Sequence, residues 1–269
     1  EGVETVPVTA VAYSVAPGVH TFVRLVAADD RSTNVTASTG FAVPYPAAGL
    51  AVSFNGRDGF AQINLNPAET DATHEFWFRP RDPTAGLFSA VALNNSHDRH
   101  IYLRNGNISA RLWATVAAQQ EIITSTGLNL ADGQWHHVAH SFGAAVGGQI
   151  LVVDGIKVAY GTRKNSDFTG ATAIQIGFSV DATSPFLAGE IDELRLWSRA
   201  LTEEEIRSLY DRALSGSEPG LVAWYRFETY NGNLSPSEVG SNNGVAVYGG
   251  TVSSLSGARL FKPRAVTLP

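Results

Sequence analysis

The protein has 269 residues, with 19 Lys and Arg against 25 Asp and Glu for a net charge of -6, 44% hydrophobic residues, 26 Gly, 12 Pro and neither Cys nor Met. A chain this long can bury a core of its own, and the lack of Cys excludes thiol catalysis, zinc-thiolate centres and iron–sulfur clusters. Acidity spread evenly, with no Lys/Arg run, argues against a nucleic-acid or anionic-membrane partner, and no stretch approaches the roughly eighteen apolar residues that insert across a bilayer.

The chain begins at Glu1 with neither an initiator Met nor a signal peptide, which points to a processed product or an excised fragment. Residues 1–47 read as a small β segment, with strand-like runs at 6–15, 18–27 and 39–43 and a Pro-rich linker at 44–49. Roughly forty-five residues rarely close a core alone, so these strands are expected to lean on the larger β region C-terminal to them or to pair with another chain. From residue 48 to 269, alternating runs rich in Val, Ile, Thr, Phe and Tyr recur between Gly, Asn and Asp turns, at 49–54, 74–78, 87–93, 100–104, 108–114, 135–142, 149–153, 173–178 and 190–197. That spacing reads as an all-β sandwich rather than as βαβ units. Asp154-Gly155 supplies the positive-φ pair of a type I′ hairpin between two apolar runs. Trp77, Trp135, Trp197 and Trp224 fall within alternating strands and read as core.

One short surface helix interrupts the pattern, over about 202–214. Thr202 is its N-cap and Glu205 closes a capping box, with Glu203 and Glu204 also at the positive end of the dipole. Ile206, Leu209, Tyr210 and Ala213 form the apolar stripe, and Gly216 is the expected stop. The strand-like run at 221–228 either closes this sandwich or begins another repeat, and 250–269 reads as a terminal strand and tail.

Four blocks resemble a laminin G-like, concanavalin A-like jelly roll of the kind shared with pentraxins. They are AVSFNGRDGF at 51–60, EFWFRP at 75–80, DGQWHHVA at 132–139 followed by VDG at 153–155, and GEIDELRLWSRALT at 189–202 running on to Tyr210. Residues 18–43 resemble more loosely the last strands of Ig-like or fibronectin-like repeats. The first resemblance implies a non-catalytic extracellular module, secreted or at the cell surface, that recognises a glycan or protein. It also implies a Ca²⁺ site near Asn55 and Asp58, joined by Asp192 or a nearby backbone carbonyl. The alternative is that Asn55-Gly56 and Asp58-Gly59 are turn residues and nothing more.

Glycoside hydrolysis is weighed because sandwich glucanases carry E-x-D-x-E or E-x-D-x-x-E on one strand face. Glu190 and Asp192 supply two members, but the third position is Leu194 or Arg195. His136, His137 and His140 share a strand yet cannot all face one metal ion, and His137 is expected in a buried hydrogen bond. His97 and His100 read as part of a polar loop that could contact a ligand. Sugar recognition needs aromatic faces and planar polar groups, and Tyr102, Arg104, Asn105, Asn107, Arg111 and Trp113 alternate along a hairpin turned at Asn105-Gly106. Those residues are the candidate ligand-binding set, with an ordinary solvated hairpin face as the alternative reading. A structural subunit assembling through the N-terminal β segment is the second functional expectation.

Overall fold

Alternating apolar residues become strands here because each run can bury one face while its backbone pairs on both edges. The computed structural model of the protein describes residues 21–27, 35–41, 50–212, 214–227, 234–235, 237–239, 245–248 and 251–254. In chain order the strands begin with β1 (Thr21–Ala27), β2 (Val35–Phe41), β3 (Leu50–Asn55), β4 (Phe60–Ile63), β5 (Ala72–Pro80) and β6 (Ala85–Ala92). They continue with β7 (His97–Arg104), β8 (Asn107–Leu112), β9 (Glu121–Thr124), β10 (His136–Gly143), β11 (Gly148–Val153), β12 (Ile156–Gly161), β13 (Ala171–Ile176) and β14 (Ala188–Trp197). After the helix α1 (Glu203–Leu209) come β15 (Leu221–Tyr225), β16 (Leu234–Ser235), β17 (Val245–Tyr248) and β18 (Thr251–Ser254). The expected strands between residues 49 and 197 are all present, within a few residues at their ends. The expected run at 6–15 and the linker at 44–49 lie outside the described residues.

The first sheet has the order β12-β11-β10-β5-β14-β3-β18 with β15 also on β14, and the second has the order β16-β17-β4-β13-β6-β7-β8-β9. Together they make a jelly-roll sandwich with one short helix. β15 pairs with the far half of β14 and β18 pairs with β3, so the chain beyond Leu221 adds strands to this sandwich. The main core lies between the sheets and joins Phe76, Phe78, Val138, Leu151 and Ile191 of the first to Phe88, Ile101, Leu103, Ile108 and Ile174 of the second. Two hairpins turn through consecutive positive-φ pairs, Asn105-Gly106 and Asp154-Gly155, the geometry that matches strand twist.

The outer face of the first sheet is also buried, and the helix is what buries it. Thr202 accepts from the Glu205 amide while the Glu205 carboxylate accepts from the Thr202 amide, closing the capping box expected from the sequence. Ile206 packs with Ile150, Val152, Trp197 and Trp224. The helix nevertheless stops at Leu209, short of the expected 214, and Ala213 lies outside the described residues. The cause lies in the sheet beneath. Arg195 donates to the carbonyls of Leu209 and Arg212, and the Trp77 indole donates to that of Tyr210. Sheet side chains thus take the carbonyls that another helical turn would have used.

Arg195 is fully buried and lies against Glu75 at 3.7 Å and Glu193 at 3.3 Å. Trp197 donates to Glu75 at 3.0 Å, Trp224 donates to Glu193 at 2.7 Å, and His137 sits 3.3 Å from the other Glu75 oxygen. Arg226 also lies 3.5 Å from Glu193, but removing Arg195 takes the fully buried guanidinium away from both carboxylates, which costs about 3–5 kcal/mol. Arg195→Met is therefore expected to lower the thermal midpoint by about 10 °C. A differential scanning calorimetry trace within a degree or two of wild type would contradict that role.

Candidate functional site

The second sheet presents a polar outer face built by period-two alternation. Ile101, Leu103, Ile108, Ala110 and Ile123 point into the core, so His100, Tyr102 and Arg104 of β7, Asn107, Ser109 and Arg111 of β8 and Thr124 of β9 point outward. The register sets Tyr102 opposite Ser109, Arg104 opposite Asn107, and Ser109 opposite Thr124. Ser109 and Thr124 share a hydroxyl hydrogen bond of 2.9 Å. Tyr102 and Arg111, two of the residues singled out from the sequence, thus come together on this face. Arg104 and Asn105 are exposed at its end, while the Asn107 amide oxygen accepts from the Ser125 hydroxyl and the Leu128 amide in the segment after β9.

The face is organised by a residue that the sequence did not point to. Asp181 arrives on the loop between β13 and β14 and places Oδ2 3.0 Å from Arg111 Nε, with Oδ1 3.8 Å from His100 Nε2. His100 is held from its other nitrogen by the Ser179 hydroxyl at 2.8 Å. The loop can lie this close because residue 86 is glycine. A Cβ there would sit 2.1 Å from both the Ser179 nitrogen and the Pro185 oxygen. Asp98 stands 4.0 Å from Arg111 Nε but is committed elsewhere, accepting from the Trp113 amide and from the Ser166 hydroxyl. Burial pushes the Asp181 carboxyl above its ordinary range, against the lowering pull of Arg111. Burial likewise drives the His100 imidazole well below the ordinary histidine value, helped by Arg111. The resulting surface carries a guanidinium between two carboxylates and a neutral imidazole, with hydroxyls alongside.

His97 and His100 begin and continue a strand rather than sit in a loop. The alternation is hidden in the sequence because Arg99 adopts a positive φ of 50° and the pairing with β6 shifts register twice. The other histidines go to separate partners. His136 bridges Asp132 at 3.0 Å and Asp154 at 2.9 Å, His137 meets Glu75, and His140 meets the Gln149 side-chain Oε1 at 2.9 Å. Among the described residues, no group of three or more His, Asp and Glu side chains is arranged around a common metal position.

The three residues named as Ca²⁺ ligands are not brought together. Asn55 and Asp58 share one turn, in which Asn55 Oδ1 accepts from the amides of Arg57, Asp58 and Gly59 and its Nδ2 donates to Asp58 at 2.8 Å. Asp192 is fully buried and lies four residues beyond Ala188, the residue opposite Asn55, so about 13 Å of strand separates them. This set does not fit one cation. Of the pair Glu190 and Asp192, Glu190 is held by Arg79 at 3.1 Å and by Arg81, and Asp192 is fully buried.

Residues 54–207 match the Laminin G 3 family model, described as the concanavalin A-like lectin/glucanases superfamily. The chain belongs to this family. It is 30% identical over 126 residues to C-reactive protein 1.1 of Limulus polyphemus, an alignment that covers 40% of this chain and 50% of that protein. C-reactive protein 1.4 of the same organism is 29% identical with the same coverage. The chain thus spans about half the length of the curated relatives it matches. A solved structure from Bacteroides ovatus ATCC 8483, titled as a candidate carbohydrate-binding protein, superposes with a TM-score of 0.61 at 16% identity. That superposition covers 84% of this chain and 69% of the other.

The buried histidines set a pH dependence. Burial, opposed by the Gln149 hydrogen bond and aided by Arg99, lowers His140 to about 4. The unfolded chain therefore binds a proton that the folded chain refuses, and stability that is full above pH ~6.5 falls as the pH drops towards 4, by an amount of order 3 kcal/mol. His136 acts in the opposite direction. Burial lowers its pKa, but Asp154 and Asp132 outweigh that and raise it, so its contribution is present at low pH and is lost as pH rises through the folded value. Melting curves from pH 4 to 8 should show His140→Gln flattening the acid limb, and an acid limb of unchanged steepness would contradict the assignment.

Proposed function

We propose that this domain is a non-catalytic binding module of a secreted or cell-surface protein, which recognises a glycan or an extracellular protein on the outer face of β7, β8 and β9. The single observation that carries the reading is the Arg111–Asp181 pair, which fixes a guanidinium and a carboxylate on the outer side of β7 and β8 near the exposed Arg104 and Asn105, while the opposite outer face is closed by the helix. Arg104 and Asn105 supply exposed planar donors at the rim, with the exposed Thr124 hydroxyl and the half-buried Arg111 guanidinium alongside, while Tyr102 and Ser109 are buried. The description of the Bacteroides ovatus structure as a candidate carbohydrate-binding protein supports a sugar as ligand. Glu190 is neutralised and Asp192 buried, so no catalytic role is assigned to them.

A glycan array probed with wild type, Arg104→Ala and Arg111→Ala tests the reading. Reproducible hits are expected, each weakened about tenfold or more by either variant. Absence of hits, or hits indifferent to both substitutions, would remove the site. Calcium is given no part in this recognition, because its named ligands do not share a position and a guanidinium already stands between Asp98 and Asp181. The thermal midpoint is accordingly expected to be the same in excess EDTA and in added Ca²⁺. A rise of several degrees with Ca²⁺ would show binding to the folded state through another ligand set.

A second reading has its own observation. β1 and β2 pair over seven residues, Thr21 opposite Phe41 to Ala27 opposite Val35, and among the described residues they pair with no other strand. A two-stranded ribbon is marginal alone and offers two open edges, which suits assembly with another chain through residues 1–47. Native mass spectrometry should then show oligomers that disappear when residues 1–47 are removed, and a strictly monomeric full chain would end this reading.

A further inference from the structure

A second concavity lies away from the sheet face described above, at the end of the sandwich where the loop after β4 meets the last residues of β14 and the start of β15. It has a volume of about 390 Å³ and walls formed by Leu65, Pro67, Ile174, Leu196 and Val222. His74 also lines it, with Asn66, Glu69 and Ser198. Leu196 and Ile174 belong to the main core, so the cavity reaches between the sheets. His74 is 2% exposed, its ring is stacked on Phe88 at 4.7 Å, and its Nδ1 is buried without a hydrogen-bond partner. A buried polar atom left unpaired at a cavity wall costs free energy that a bound group can recover.

We propose that this cavity binds a small neutral apolar molecule carrying one hydroxyl, which pairs with His74 while the rest of the ligand contacts the aliphatic walls. The volume falls in the range of small-molecule sites, which are mostly apolar with a few placed polar groups. The preference for a neutral ligand follows from charge on both sides. Glu69 at the lining disfavours an anion, and the buried Arg99 guanidinium, which acts electrostatically on both His74 and Glu69, disfavours a cation. Burial, together with His140 and Arg99, keeps the His74 ring neutral. A neutral imidazole nitrogen is either a donor or an acceptor according to its tautomer, and a hydroxyl answers both.

The test uses phenol, benzene and benzoate as probes of the full chain, read by the His74 Cε1–H resonance and by the thermal midpoint. Phenol should shift the His74 signal saturably, bind about fivefold more tightly than benzene, and bind more tightly than benzoate. His74→Phe keeps an aromatic ring against Phe88 and should reduce phenol to the affinity of benzene. Leu65→Phe, at a half-buried wall, should weaken phenol and benzene together. The proposal is overturned by no saturable shift up to about 10 mM phenol, by a phenol preference that survives His74→Phe, or by benzoate as the tightest of the three. The wild-type ligand series decides the matter even where a variant fails to fold, and it is independent of the glycan reading of the sheet face.

Discussion

Arg195 is the cation around which the outer layer of the first sheet is built. Two carboxylates, two indole N–H groups and the carbonyls of Leu209 and Arg212 converge on or beside it. Each of these groups alone would be costly to bury. Together their ion pairs and hydrogen bonds tie β5, β14 and β15 to the end of α1 and the segment just after it. A β-bulge makes this possible. Glu193 adopts a positive φ of 52° and the register with β5 slips between Asp192 and Arg195, so Asp192, Glu193 and Arg195 all leave the core side, while Ile191 and Leu194 stay on it.

The second sheet has a parallel device with a different outcome. Arg99 also sits at a positive φ and is fully buried, with Asp98 3.8 Å away. Here too a break in alternation brings charge into a sheet, but no helix covers the outer face. The covering element is the loop between β13 and β14, held down by Ser179 to Pro185 and Gly86 to Ser184 backbone bonds. It covers only part of the face and leaves Arg104 and Asn105 in solvent.

Most of the fold is legible in the sequence because strands of a sandwich announce themselves by alternation and turns by Asn-Gly and Asp-Gly. The capping box at Thr202 and the hairpin at Asp154-Gly155 need only local residues, and both are readable from them. The helix end is not, because the groups that stop it come from Trp77 and Arg195, more than a dozen residues away in the chain. His97 and His100 escape the pattern for a related reason, since bulges at Arg99 and in β6 erase the period-two signal. Of the site, Tyr102 and Arg111 are legible from the hairpin pattern around Asn105-Gly106. Asp181 is not, because Val180-Asp181-Ala182 carries no local signature and acquires meaning only when its loop crosses the end of β7.

The location of a ligand surface depends on what each sheet has already used. The outer face of the first sheet is committed to the helix through groups that cannot be exposed without stranding Glu75 and Glu193. On the outer face of the second, Asp181 and Asp98 approach Arg111 Nε, its Nη2 donates to the His97 carbonyl, and Arg104, Asn105 and Thr124 are exposed beside it. A partner that offers hydroxyl or carbonyl acceptors gains hydrogen bonds from donors whose orientation is already fixed, and so loses little side-chain entropy in making them. That pre-organisation exists because the charges are buried to hold the loop, so the same contacts that pin the loop between β13 and β14 also fix the Arg111 guanidinium.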